Sequence, residues 1–194
     1  MRVLGVDCGT GSTGYGLVET EGSGYRAIHY GAIRTSGSLP FAKRLHKIHS
    51  ELARLVRRYR PDAVAVEEVF YSLNARSAIK LGHVRGVAML AAAAAGVPVS
   101  EYSPLAVKSA VVGTGRAEKE QVQQMVKVLL GLRERPEPHD AADALAVAIC
   151  HINTATTRQK IAAQTRPNRA RLPRLAVNAR RERREPVRLG GPRP

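Results

Sequence analysis

Four carboxylates in this 194-residue chain stand where an acid is costly unless it is used. Asp7 ends the apolar run Val3-Leu4-Gly5-Val6, and Gly9 and Gly11 follow at once. Glu67 ends a second apolar run, Ala63-Val64-Ala65-Val66. Asp140 and Asp143 enter the otherwise apolar stretch Ala141-Ala142-Ala144-Leu145 at a spacing that puts both on one helix face. A carboxylate at the end of a buried strand needs a metal, a hydrogen-bonded turn or a basic neighbour. If two strand ends and a helix start converge, four bare acids repel one another and divalent cations must sit between them. All-oxygen donors suit hard ions such as Mg²⁺ or Mn²⁺. Two such ions roughly 4 Å apart clamp a phosphodiester for in-line displacement. Gly9 and Gly11 would let a phosphate or a metal come close to the backbone. Plainer uses stay open: Asp7 could cap a tight turn, and both helix aspartates could answer the helix dipole.

Periodicity outlines the elements that must position these acids. Residues 3–7 read as a strand, 13–19 as the second strand of a hairpin and 25–35 as a third after a glycine turn. Over residues 41–59 the period becomes helical: Leu45, Ile48, Leu52, Leu55 and Val56 recur, with Lys43, Arg44, Arg54, Arg57 and Arg58 elsewhere. Pro61-Asp62 breaks that helix, and residues 63–68 form the second acid-terminated strand. A helix over 74–95 ends at Gly96, and Val97-Pro98-Val99 makes a short strand at an edge. Ser103-Pro104 starts a further helix, 118–130 is another stopped at Gly131, and 139–156 is the last. Strands first, then alternating helices and strands, imply an α/β fold: a mixed five-stranded sheet flanked by helices on both faces. Asp7 and Glu67 would then end neighbouring strands.

Charge points to the partner. The formal net charge is +15 and the isoelectric point near 10.7, which fits a polyanion, nucleic acid before a membrane surface. Residues 158–194 hold twelve Arg or Lys against Glu182 and Glu185, so +10 lies there. Residues 1–157 are expected to fold as one domain, and 158–194 to form a disordered basic arm. There is no uninterrupted apolar run of spanning length and no signal-peptide layout, so the expected place is the cytoplasm, with no membrane partner. Cys8 and Cys150 lack zinc spacing and read as small buried hydrophobes in a reducing compartment.

Several segments together carry a family pattern: Gly5-Val6-Asp7-Cys8-Gly9, Val66-Glu67-Glu68-Val69-Phe70, Asn74-Ala75-Arg76-Ser77-Ala78, Lys80-Leu81-Gly82, Arg85-Gly86-Val87-Ala88, Val107-Lys108 and Asp140-Ala141-Ala142-Asp143-Ala144-Leu145-Ala146. In order and spacing they resemble the RuvC family of Holliday-junction resolvases, among the RNase H-like nucleases. Cys8 stands where that family usually has proline; it alters a turn residue rather than a ligand. The resemblance covers residues 1 to about 151 and implies an RNase H-like fold.

The resemblance also implies that Asp7, Glu67, Asp140 and Asp143 hold Mg²⁺ or Mn²⁺, two ions per subunit. It implies phosphate contacts for Lys108 and Lys119, DNA contacts for Arg76 and Lys80, and stacking of Phe70 on an unpaired base. The Thr114-Gly115 loop would approach the DNA backbone. Strand alternation sends Glu68 away from Glu67, and His139 reads as an exposed cap. The implied activity is paired symmetric nicking of four-way junction DNA, leaving 5′-phosphate and 3′-hydroxyl ends. The implied partners are a second copy of the chain and the RuvA–RuvB branch-migration complex. For the dimer, the sequence offers the alanine-rich helix, with Ala88, Ala91, Ala92 and Ala95 allowing close approach and Met89 and Leu90 adding apolar area. Two rivals carry different chemistry. Asp7-Cys8-Gly9-Thr10 is similar to the phosphate loop of sugar kinases and actin-like ATPases, but 194 residues cannot hold their two domains. A non-enzymatic DNA-binding protein explains the charge and leaves four acids beside a polyanion unexplained.

Overall fold

A computed structural model describes residues 1–68 and 75–164. The elements are β1 (Arg2–Asp7), β2 (Ser12–Glu21), β3 (Gly24–Arg34), α1 (Phe41–Tyr59), β4 (Ala63–Glu67), α2 (Ala75–Ala93), β5 (Val99–Tyr102), α3 (Pro104–Val112), α4 (Lys119–Leu129) and α5 (His139–Gln164). The strands form one sheet in the order β3-β2-β1-β4-β5. β1 pairs antiparallel with β2, and β2 with β3. β4 lies parallel to both β1 and β5. The sheet is therefore mixed, and the central strands β1 and β4 are apolar between Arg2 and the terminal acids Asp7 and Glu67 because both their faces are covered.

Alternation along the strands divides the core. Leu4, Val6, Val64 and Val66 turn to the face that packs Ile48, Leu52, Leu55 and Val56 of α1 and Val84, Ala88, Ala91 and Ala92 of α2. Val3, Val18 and Ala65 turn to the other face, under α3, α4 and α5. Helices thus cover both faces, as the sequence pattern predicts. Each fully buried Leu or Val contributes about 1.5–3 kcal/mol.

Three glycines set how closely α5 approaches. A Cβ on Gly5 would land on the Ala144 carbonyl, one on Gly14 on the Asp140 carbonyl, and one on Gly16 on the Leu145 side chain and amide. Without those atoms the helix backbone rests directly on β1 and β2. The start of α3 is fixed locally: Ser103 Oγ accepts from the Ala106 amide at 3.2 Å, with Pro104 at the first helical position.

The structure departs from the sequence reading in three places. α5 continues to Gln164, so residues 158–164, expected in the disordered arm, are helical. Arg158, Gln159, Lys160, Ile161 and the following alanines all propagate a helix, and no glycine or proline interrupts before Pro167; charge alone misled. β5 begins at Val99, after the proline, while the Pro98 carbonyl still accepts from Val64 N at 2.9 Å. On α2, Ala88, Ala91 and Ala92 face the protein's own sheet. These three are core, because small side chains let α2 settle on β4 and β5, whereas Ala95 is exposed beyond the end of α2. Its opposite face is the exposed one, with Ile79 at 62% and Leu90 at 57% of full exposure. Asn74 and Phe70 lie outside the described residues.

Candidate active site

The site is built at one end of the sheet. β1 and β4 run parallel with Val6 opposite Val66, so Asp7 and Glu67 are the next residues on adjacent strands. Both share the strand face of Val3 and Ala65, which is the face under α5. Glu68 alternates away, and its amide donates to the Tyr102 carbonyl at 2.8 Å. Asp140 lies in the first turn of α5, which the Gly14 contact seats over β2, and Asp143 lies in the next turn.

Electrostatics show that the four acids share one neighbourhood. Asp7 is pushed up from 3.8 to about 6, first by burial and then by the charges of Asp143 and Asp140, with Lys119 opposing. Glu67 is pushed up from 4.5 to about 7, again by burial first, then by Asp7 and Asp143, with Lys119 and Lys108 opposing. Lys119 Nζ meets Asp143 Oδ2 at 2.6 Å, and that hydrogen bond raises the lysine above its ordinary value. A cavity of about 250 Å³ opens beside them, lined by Glu67, Asp143, Lys108 and Lys119 over an apolar floor that includes Val107, Val122 and Ala146.

One member of the site gave no signal in sequence. Ser12, the first residue of β2, donates from Oγ to Asp140 Oδ2 at 2.5 Å and fixes that carboxylate. A serine in a turn is ordinary by itself, and only the seating of α5 over β2 brings it to Asp140. Gly9 has a different use from the one its position suggests. A Cβ there would strike the Ser12 carbonyl, so it permits the tight β1–β2 turn rather than the approach of a ligand. The Thr13 hydroxyl closes the same turn on the Gly9 carbonyl at 2.8 Å.

Of the expected DNA contacts, Lys108 and Lys119 line the cavity. Arg76 and Lys80 are exposed one turn apart at the start of α2, outside it. Gly115 packs against the Leu105 side chain in the loop after α3. His139 is exposed at the first residue of α5. Cys8 is buried with its thiol pushed up to about 12 by burial, then by Asp7, so it stays neutral beside the acids. Cys150 is likewise a buried free thiol.

Comparison with known proteins decides the family. The model of the crossover junction endodeoxyribonuclease RuvC matches residues 3–151. The chain belongs to the RuvC family. It is 55% identical over 154 residues to the RuvC of Syntrophomonas wolfei, covering 79% of this chain and 90% of that one. The RuvC of Geobacter sulfurreducens is 55% identical over 158 residues, covering 81% and 96%. The structure of Thermus thermophilus RuvC superposes with a TM-score of 0.76 at 41% identity, covering 81% of this chain and 97% of that one. The same protein in complex with a Holliday junction substrate gives 0.75 at 39%, with coverage of 81% and 96%. The yeast mitochondrial Holliday junction resolvase Ydc2 shares the fold at 14% identity, with a TM-score of 0.62 and coverage of 84% and 83%. Membership in a nuclease family sets aside the kinase-like and purely DNA-binding alternatives. Among the described residues no helix is long and apolar enough to cross a membrane.

Proposed function

We propose that this chain resolves four-way DNA junctions by metal-dependent hydrolysis of phosphodiester bonds, with Asp7, Glu67, Asp140 and Asp143 as the ion ligands. One observation carries the assignment: β1, β4 and α5 bring four carboxylates to one end of the sheet, where burial first, and then the neighbouring acids, hold Asp7 and Glu67 above the usual carboxylate range. The donors fit a hard divalent ion, being oxygen only and held on three rigid elements. As the side chains lie, no three of the described His, Cys, Asp or Glu residues are gathered tightly enough to hold an ion; Asp143 instead faces Lys119.

Two Mg²⁺ or Mn²⁺ ions per subunit, when bound, supply the Lewis acidity that activates water and stabilises the leaving oxygen. The chain does the rest. Asp7 and Glu67 are fixed by the strand ends, and burial holds both above the usual carboxylate range in the metal-free protein. Ser12 orients Asp140. Lys108 and Lys119 put positive charge at the cavity and hold the phosphate of the strand to be cut. Arg76 and Lys80, at the start of α2, contact the DNA outside the cavity, and Phe70 stacks on a base beside the crossover. Residues 1–157 form the nuclease domain, continued by the helical end of α5, and the basic arm beyond adds affinity for any DNA. The chain works in the cytoplasm beside a RuvA–RuvB complex.

A four-way junction has two strands of like polarity related by a twofold axis, and a twofold dimer presents one site to each. The exposed face of α2, with Ile79, Gly82, Gly86 and Leu90, supplies the self-complementary surface. The test is to incubate immobile and mobile synthetic junctions with Mg²⁺, Mn²⁺ or chelator and to map the cuts. Metal-dependent nicks at symmetry-related positions, sealed by ligase, are expected. Cleavage without metal, or equal cutting of plain duplex, overturns the assignment.

A further inference from the structure

Helix α1 carries six cations, Lys43, Arg44, Lys47, Arg54, Arg57 and Arg58, against one acid, Glu51. Its buried face is Ile48, Leu52, Leu55 and Val56. At 3.6 residues per turn, Lys43, Lys47, Arg54 and Arg58 fall in one stripe opposite that face, roughly 22 Å long. Part of the charge is already engaged. Arg54 pairs with Glu51 at 2.7 Å, Arg58 lies over the Tyr59 ring at 5.4 Å, and Arg44 donates to the Thr10 carbonyl and the Thr35 hydroxyl. The side chains of Lys43, Lys47 and Arg57 are exposed and form no ion pair with a described residue.

The stripe is continuous with the site end of the molecule. β3 runs in the same direction as β1, through two antiparallel pairings, so Arg34 at its end lies at the end where Asp7 lies. A shallow cavity of about 390 Å³ joins Arg34 to Lys47, Arg54 and Pro138, and Pro138 stands two residues before Asp140. α1 then carries its cations back along the protein, away from the carboxylates.

We propose that Arg34 and the outer face of α1 dock the sugar-phosphate backbone of one duplex arm as it leaves the crossover. This rests on the reading of the chain as a junction nuclease. Duplex DNA carries one charge per about 1.7 Å of axis, so the stripe faces about a dozen phosphates. No exposed large apolar side chain interrupts it, so it offers nothing to insert into a membrane, and its cations are spaced along a line as a rod-like polyanion requires.

The test uses the full chain with Lys43→Glu and Lys47→Glu together, both on a solvated helix face. Binding is measured in chelator on junctions with long arms of about 20 base pairs and short arms of about 6, the short arms spanning only about 20 Å. On long arms the variant should lose at least about tenfold in affinity, and the slope of log K against log salt should fall by about two, one counterion per lost contact. On short arms, which still reach Lys43 and Lys47 at the near end of α1, the variant should lose affinity by the same factor. Arg57→Glu with Arg58→Glu at the far end should instead lose affinity on long arms only. The single-turnover nicking rate at saturating protein should not change, and the double Lys→Arg variant should bind as wild type. Equal binding of long arms by variant and wild type overturns the proposal. An equal loss by the far-end pair on short arms also overturns it, since it places the contact at the crossover. If the wild type itself neither binds nor cuts junctions, the assigned function falls instead.

Discussion

Asp7 is held against its own tendency to ionise. Burial and the neighbouring Asp143 and Asp140 raise it to about 6, and Glu67 rises to about 7 for the same reasons. In the unfolded chain both acids ionise near their ordinary values, so between about pH 4 and 7 the folded state holds protons that the unfolded state has lost. Stability from these groups is therefore full below about pH 4 and is lost as pH rises through 6 and 7; for Asp7 the loss is on the order of 3 kcal/mol. His29 and His151 act with the opposite sign, because burial lowers them and the folded state gains as pH rises towards their ordinary value. The difference between wild type and Asp7→Asn isolates the aspartate. Without metal, Asp7→Asn should melt higher than wild type at pH 8, and the gap should close towards pH 4, read by thermal melts across the range. Mg²⁺ or Mn²⁺ should restore the wild type at pH 8 and do less for the variant. The same substitution should keep junction binding and lower cleavage by several orders of magnitude. Near wild-type cutting by Asp7→Asn would remove it from the metal site. Ser12→Ala frees Asp140 without removing a ligand, so the metal concentration for half-maximal cleavage should rise while the melting curve barely moves.

At the scale of elements, the site depends on how deeply α5 sits. Gly5, Gly14 and Gly16 leave room for the helix backbone, and any Cβ there meets backbone or Leu145 atoms. Gly14→Ala should push the first turn of α5 outward, costing about 1–3 kcal/mol as overpacking does. It should also cut cleavage by about a hundredfold, since displacements near 1 Å are enough for that. Gly11→Ala meets nothing within 4 Å and serves as the control, with urea melts and single-turnover cleavage as readouts. Much of this architecture was legible beforehand. β1, β4 and α1 stand at their expected places because apolar runs and a clean helical period leave little choice of partner face. Adjacency of Asp7 and Glu67 followed from two acid-terminated runs in one sheet. The glycine row was not legible, because glycine inside a strand looks like weakness until the helix above it is known. Nor was the sidedness of α2: alanine suits a core and an interface equally, and a helix apolar around much of its girth has no preferred face to read. Ser12 and the last two turns of α5 were missed for opposite reasons, one a contact across 128 residues, the other a charged helix mistaken for solvated coil.

For the molecule as a whole, charge and symmetry make separate predictions. Residues 165–194 carry ten Arg and two Glu, so truncation after Gln164 should weaken binding to junction and plain duplex alike and flatten the salt dependence. A truncation that lost only junction discrimination would show that the arm reads structure. Symmetry is tested through the exposed face of α2. Ile79 and Leu90 are exposed on either side of Gly82 and Gly86, which meet nothing within 4 Å and leave space for an opposing helix. Leu90→Glu would bury a charge in that interface, and sedimentation should show a monomer that is as stable as wild type, because Leu90 lies outside the core. A monomer holds one set of Asp7, Glu67, Asp140 and Asp143, so it should nick a supercoiled cruciform plasmid to open circles and rarely linearise it. A mixed dimer of wild type and Asp7→Asn should do the same without any change in assembly, since one subunit cuts and its partner only binds. Wild type should give linear product, as the second cut falls within the lifetime of one bound complex. If Leu90→Glu is monomeric and still makes paired cuts, the two sites act independently, and α2 has no part in pairing them.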